Sequence, residues 1–135
     1  MNKLKIFTDG GSRGNPGEAA IGIVIINKQD GRKITELSKC IGVATNNIAE
    51  YTAVLEALSW IEENVGESEL NFILDSELVV KQLSGSYKIR NDKLKPIYFK
   101  IKEKIIGLGG ISTFTHVLRE KNREADALVN KALDH

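Results

Sequence analysis

The chain has few cysteines, no long apolar runs and almost no net charge, and each shortage excludes a class of protein. Its one cysteine, Cys40, cannot form an internal disulfide, so nothing requires an oxidising compartment. Because Cys40 lies in a strand-like segment, we expect it to be buried as a small hydrophobic residue. No apolar run approaches the roughly 20 residues of a membrane span, and the N-terminus lacks the apolar stretch of a signal peptide. We therefore expect a cytoplasmic protein without a membrane partner.

The formal net charge of +1 neither favours nor excludes a nucleic-acid partner, but the charges are unevenly distributed. Between Lys81 and Lys104, a segment we call the basic stripe, eight Lys and Arg residues face two acidic ones, an excess of six positive charges. Such a stripe can neutralise phosphates. It can equally be a solvated helix face, and the segment alone leaves both interpretations open.

The order of periodic segments predicts one α/β domain over residues 1–135, with no repeats, low-complexity tracts or linkers. Three strands with short links predict an antiparallel meander, and later strand–helix–strand crossovers predict parallel neighbours. The expected fold is a mixed five-stranded sheet, three strands antiparallel and two parallel, with helices on both faces. Alternating and apolar runs predict strands over 3–8, 20–26, 32–43, 70–74 and 111–118, and helical spacing predicts helices over 46–63, 76–83, 92 or 93–106 and 122–133.

Four acidic residues lie where predicted elements begin or end: Asp9, Glu50, Asp75 and Asp126. Asp9 and Asp75 each follow an apolar run, where a carboxylate is costly unless something pairs with it. Carboxylates that converge on one point repel each other unless a cation holds them, and hard oxygen ligands suit Mg²⁺ or Mn²⁺. Each acid alone also has an ordinary explanation, since Glu50 and Asp126 would suit a helix dipole and Asp75 a helix N-cap.

Each of these acids lies in a short motif, and the motifs are Thr8-Asp9-Gly10 followed by Asn15-Pro16-Gly17, Thr45-Asn46-Asn47 with Ala49-Glu50, Asp75-Ser76, and Asn122 with Ala125-Asp126. The order and flanks of the acids in these motifs resemble ribonuclease H of type 1, from about residue 3 to about residue 133. The resemblance implies a ribonuclease H-like fold and a metal-dependent endonuclease that hydrolyses the RNA strand of RNA–DNA hybrids, leaving 5′-phosphates. The four acids would hold two ions, Mg²⁺ or Mn²⁺. No protein partner is implied, and we expect a monomer.

Substrate-binding residues are expected on either side of the acids. Residues 10–17 form a predicted glycine-rich turn, where absent side chains would let a nucleic-acid backbone approach and where Glu50 and backbone amides would sense 2′-hydroxyls. The residues Thr45, Asn46 and Asn47 cap the next helix or, as the resemblance implies, contact the hybrid. The full set of expected substrate-binding residues is Gly10, Gly11, Ser12, Asn15, Thr45, Asn46 and Asn47.

Two departures from the family pattern leave alternatives open. Many members carry a histidine in the loop before the last aspartate, whereas residues 118–125 here contain none, and His116 lies in a strand pattern. Arg119 or Glu120 takes that role, or nothing does. The basic, tryptophan-bearing protrusion of some members is also missing. A nuclease of the same fold acting on duplex RNA or as an exonuclease, and a hybrid-binding module with little catalysis, therefore remain alternatives.

Overall fold

The computed structural model describes residues 1–134, and within them the predicted order of strands and helices is confirmed. No helix in these residues is long and apolar enough to cross a membrane. A short 3-10 helix over Arg119–Lys121 precedes the last α-helix. The elements are β1 Asn2–Gly14, β2 Gly17–Asn27, β3 Lys33–Ala44, α1 Asn46–Asn64, β4 Ser68–Leu74, α2 Glu77–Leu83, α3 Lys95–Gly107, β5 Ser112–His116 and α4 Arg123–Asp134.

The five strands form one mixed sheet in the order β3-β2-β1-β4-β5. The β1–β2 and β2–β3 pairs are antiparallel, whereas β1–β4 and β4–β5 are parallel. This arrangement confirms the predicted meander joined to two parallel strands. It also makes β1 and β4 central neighbours that run in the same direction.

Successive residues of β2 show how helices cover both faces of the sheet, since neighbouring side chains on a strand point to opposite faces. Ile21, Ile23 and Ile25 belong to the main core with α1 and α3. Ala20 packs in a second cluster with Val129 and Ala132 of α4.

Gly22 lets α4 approach that second face closely. A Cβ atom added to Gly22 would lie 2.1 Å from the backbone oxygen of Ala125. Since no real side chain tolerates such a distance, glycine is required here for helix–sheet packing.

The glycine-rich segment after Asp9 is mostly strand, so the predicted turn over residues 10–17 was wrong in extent. β1 continues to Gly14 and β2 begins at Gly17, so only Asn15 and Pro16 form the turn. Gly10 and Gly11 pair with Ile21 and Ala20 across the hairpin. Glycine is disfavoured in strands, so these residues weaken the strand pattern of the sequence. Pairing with the long strand β2 nevertheless holds the segment in a strand.

Smaller corrections concern element boundaries and Cys40. The third helix begins at Lys95 rather than 92 or 93, and the last begins at Arg123 because the 3-10 turn precedes it. Cys40 is exposed, not buried as expected, because β3 is an edge strand with a mostly exposed pattern. Its Sγ donates to the backbone oxygen of Ala132 at 3.1 Å.

Candidate active site

Asp9, Glu50 and Asp75 converge, with one carboxylate oxygen of each lying within 4.8 Å of those of the other two. The pairing of β1 with β4 runs as far as Phe7 opposite Ile73. Asp9 lies two residues beyond that pair on β1, and Asp75 follows the last residue of β4. The carboxyl ends of parallel strands meet at one edge of the sheet, where ligands of open α/β folds bind. The strand pairing therefore explains why these two acids meet.

Glu50 reaches the cluster from the first turns of α1, which packs directly on β1. The backbone N–H of Gly10 donates to Oε1 of Glu50 at 2.6 Å. A Cβ on Gly10 would lie 2.3 Å from the carbonyl carbon of Ala49, so only glycine permits this contact. At the start of the helix, Oγ1 of Thr45 accepts from the N–H of Ile48 at 3.2 Å and forms the N-cap.

Asp126 lines the same cleft but lies outside the three-acid cluster. It occupies the first turn of α4, where Nη2 of Arg119 donates to its Oδ1 at 3.1 Å. The side chain of Arg119 is largely exposed, whereas that of Asp126 is partly buried. Asp126 therefore stands beside the cluster with its negative charge already partnered.

Burial and mutual repulsion make the cluster hard to ionise. Burial, followed by the charge of Asp75, raises the pKa of Asp9 to about 7. Burial and the charge of Asp9 raise the pKa of Glu50 well above its usual value. Burial also raises the pKa of Asp75, although the nearby Arg119 charge opposes that rise. Without a cation, the three groups cannot all be ionised at neutral pH without a large cost.

The acids lie in an open cleft of about 470 Å³ between the β1–β2 hairpin and the helices α1 and α4. Of the predicted substrate-binding residues, Asn15 and Thr45 do not line this cleft; both instead hold the start of α1, Thr45 as its cap and Asn15 through the N–H of Asn46. The predicted residues that do line it are Asp9, Gly10, Gly11, Ser12, Asn46, Asn47, Glu50, Asp75 and Asp126.

Asn46 and Asn47 are adjacent in the sequence but differ in their hydrogen bonds. Oδ1 of Asn46 accepts from the N–H and the hydroxyl of Ser12, at 2.9 and 3.1 Å. The N–H of Asn46 donates to Oδ1 of Asn15 at 3.0 Å. Asn47 is exposed, and its side chain makes no hydrogen bond among the residues described. Asn46 thus fastens the hairpin to α1, and the free amide is that of Asn47.

The sequence left open which residue takes the place of the loop histidine, and it did not show how Asn122 contacts the strand that carries Asp9. Arg119 lines the cleft, whereas Glu120 lies on a separate groove with Phe7 and Val24, so Arg119 is the one near the acids. His116 is exposed at the end of β5. Asn122, four residues before Asp126, is buried with its amide bonded to the backbone of Thr8. The spacing of Asn122 and Asp126 was the only sequence signal for this contact.

Comparisons with known proteins agree with this geometry. A family model described as "Reverse transcriptase-like" matches residues 7–132. Ribonuclease HI of Halobacterium salinarum is 40% identical over 98% of this chain, and ribonuclease H of Clostridium botulinum is 32% identical over 99% of it and 97% of its own length. LC11-RNase H1, isolated from compost by a metagenomic approach, superposes with a TM-score of 0.90 at 42% identity, covering 99% of this chain and 97% of that one.

A second structure of LC11-RNase H1, in complex with an RNA/DNA hybrid, also gives a TM-score of 0.90, at 40% identity over 97% of this chain and 96% of that one. The chain spans 65% of the length of the Halobacterium relative and 36% of related mycobacterial proteins. The family match covers nearly all of the chain, and the Clostridium relative is matched over nearly its whole length. The chain belongs to the ribonuclease H family, type 1.

Proposed function

We propose that this chain is a metal-dependent endonuclease that hydrolyses the RNA strand of RNA–DNA hybrids. The observation that carries the proposal is the cluster of Asp9, Glu50 and Asp75, whose ligand oxygens lie within 4.8 Å of one another in an open cleft. The hybrid-bound relative supports the substrate class. All four acids belong to one chain, so the reaction needs no second copy.

The donor set fits a hard divalent cation. Three carboxylates whose pKa values are raised by burial and by neighbouring carboxylates need a positive charge to ionise together. Asp9, Glu50 and Asp75, with Asp126 beside them, would hold Mg²⁺ or Mn²⁺ as a pair of ions. When bound, such a pair makes a water nucleophilic and stabilises the leaving 3′-oxygen, which leaves a 5′-phosphate.

Substrate recognition would use the exposed rim of the cleft rather than all the glycines of the hairpin. Gly10 is needed for packing against α1, whereas a Cβ on Gly11 would meet ordinary contacts at 3.7 Å or more. Gly11, Ser12 and the free amide of Asn47 therefore face the space where a sugar–phosphate backbone would lie. We infer that hydroxyl recognition depends on these groups and on Glu50.

Arg119 stands where the loop histidine is missing, but its chemistry differs. Its guanidinium stays protonated at physiological pH, and Asp126 raises its pKa further. It therefore cannot accept a proton, and its contribution to the cleft is positive charge next to Asp126. A pH–rate profile governed by the acids, without a histidine step, follows from this replacement.

A substrate panel tests the proposal. Labelled RNA–DNA hybrid, duplex RNA and duplex DNA are each incubated with Mg²⁺, Mn²⁺ or EDTA. We expect the RNA strand of the hybrid to be cut only with a divalent ion and the new ends to carry 5′-phosphates. Comparable cutting of duplex RNA would favour the broader nuclease, and tight hybrid binding without cutting in either metal would favour the binding module.

A further inference from the structure

Asn122 connects the elements that carry two of the four acids, Asp9 and Asp126. Its side chain is 1% exposed, and Nδ2 donates to the backbone oxygen of Thr8, next to Asp9, at 2.9 Å. Its own backbone oxygen accepts from the N–H of Asp126 at 3.1 Å. One residue thus links the strand of Asp9 to the first turn of the helix that carries Asp126.

Asp75 is influenced by the same residue without a direct hydrogen bond between them among the described residues. Burial raises the pKa of Asp75, and the Arg119 charge and the Asn122 side chain are among the groups that oppose the rise. The side-chain hydrogen bond of Asn122 is the one to Thr8.

Stability alone does not explain an asparagine at this place. Oδ1 of Asn122 and Oγ1 of Thr8 are both buried without a hydrogen-bond partner in the described part of the chain. Leaving buried polar atoms unpaired destabilises a fold, and such atoms concentrate where function constrains the residue. A residue just before a helix would also ordinarily use its side chain as the N-cap, whereas this one turns it towards β1.

We propose that Asn122 is a positioning residue that sets the spacing of Asp9 and Asp126 for metal binding. This inference rests on the proposed function for the identity of the site. The amide holds β1 against the start of α4, so the carboxylates on these elements keep a fixed separation before any ion arrives. Groups that orient metal ligands from behind typically change metal affinity about 10–100-fold when removed.

The variant Asn122→Ser separates positioning from folding. Serine is a preferred N-cap, so it keeps the start of α4 stable, but it is too short to reproduce the amide link to Thr8. Binding of Mn²⁺ is measured without substrate, as the rise in melting temperature with metal concentration. We expect the apparent dissociation constant for Mn²⁺ to rise about tenfold or more. Raising the metal concentration should then restore part of the lost hybrid cleavage.

Ser68→Ala is the matched control. Ser68 is fully buried at the start of β4, and its hydroxyl donates to the backbone oxygen of Gly66 at 2.8 Å. The site lies at the other end of that strand, so this variant should lose stability and keep the wild-type affinity for Mn²⁺. An unchanged Mn²⁺ affinity in Asn122→Ser, or an equal loss in Ser68→Ala, would overturn the inference. Since the metal titration needs no turnover, a wild type that fails to cut hybrid would contradict only the proposed function.

Discussion

Asp9 shows how a residue that the proposed function uses as a metal ligand can lower the stability of the metal-free protein. It is 8% exposed on a central strand, and burial together with Asp75 raises its pKa from 3.8 to about 7. Because the folded pKa exceeds the unfolded one, the folded state holds the proton more tightly. The metal-free protein is therefore most stable below about pH 4 with respect to this group, and it loses that contribution as pH rises through about 7.

Asp9→Asn should accordingly stabilise the metal-free protein at pH 8, by on the order of 3 kcal/mol, because the amide keeps the volume and removes the charge. Urea unfolding in EDTA between pH 4 and pH 8 measures the effect. The wild type should lose stability across this range more steeply than the variant. If the free energy of unfolding changed with pH equally in the two proteins, ionisation of Asp9 would not destabilise the fold.

At the scale of elements, the contact between β1 and α1 places Glu50 beside Asp9. This contact depends on Gly10, whose N–H holds the Glu50 carboxylate and whose missing side chain lets Ala49 approach. A methyl group there would have to push helix and strand apart, because its nearest neighbours are backbone atoms at 2.3 Å.

Gly10→Ala should destabilise the protein by about 3 kcal/mol, from overpacking and from the loss of the Glu50 hydrogen bond. It should also weaken binding of Mn²⁺, because Glu50 moves away from Asp9. Gly107→Ala is the control, since Gly107 ends α3 with nothing within 4 Å of an added Cβ, and it should change stability by about 0.5 kcal/mol. Chemical denaturation and metal titration compare the two variants. Wild-type stability and Mn²⁺ affinity in Gly10→Ala would contradict a close contact between α1 and β1 at this position.

Most elements were predictable because their side chains carry the periodicity of the element. The isoleucines of β2 and the apolar face of α1 are such patterns, and the antiparallel and parallel parts of the sheet followed from the connections. The length of the hairpin was not predictable, because Gly10, Gly11 and Gly14 have no side chains to show a period. Pairing with β2, a tertiary interaction, makes them strand.

Of the candidate site, the convergence of three acids was predictable, whereas the contacts that support them were less so. Asp9, Glu50 and Asp75 were identified from their positions and from the family resemblance, and the fold brings them together. The bond from Ser12 to Asn46 joins residues 34 apart, and that from Asn122 to Thr8 joins residues 114 apart. Such contacts depend on the final register of strands and helices, which no local pattern contains.

For the molecule as a whole, the basic stripe does not form a uniform surface. Nζ of Lys102 donates to the backbone oxygen of Leu83 at 2.7 Å and lies over the ring of Tyr98, so this charge holds α3 against the end of α2. Lys95 pairs with Asp92, and Lys104 pairs with Glu62. Among the residues described, the basic residues of the stripe with neither an ion pair nor a side-chain hydrogen bond are Lys88, Arg90, Lys93 and Lys100. These are the charges most available to phosphates.

Hybrid binding should weaken as salt rises, because each phosphate contact releases counterions. The double variant Lys88→Ala with Lys93→Ala should reduce the slope of log affinity against log salt by about one to two. Lys28→Ala is the control. Lys28 lies in the turn between β2 and β3, at the end of the sheet opposite the acids, so this variant should leave the slope unchanged. Binding is measured in Ca²⁺ to suppress turnover. An unaltered slope in the double variant would make the stripe a solvated face.

The most direct test of a metal-dependent ribonuclease H site in this chain is single-turnover cleavage of a hybrid labelled separately on its RNA and DNA strands. Wild type and Asp9→Asn are compared in Mg²⁺, in Mn²⁺ and in EDTA. We predict that the wild type cuts the RNA strand alone and only in the divalent ions. Asp9→Asn should cut at least about a thousandfold more slowly. Cleavage by Asp9→Asn near the wild-type rate, or cleavage that persists in EDTA, would contradict this account.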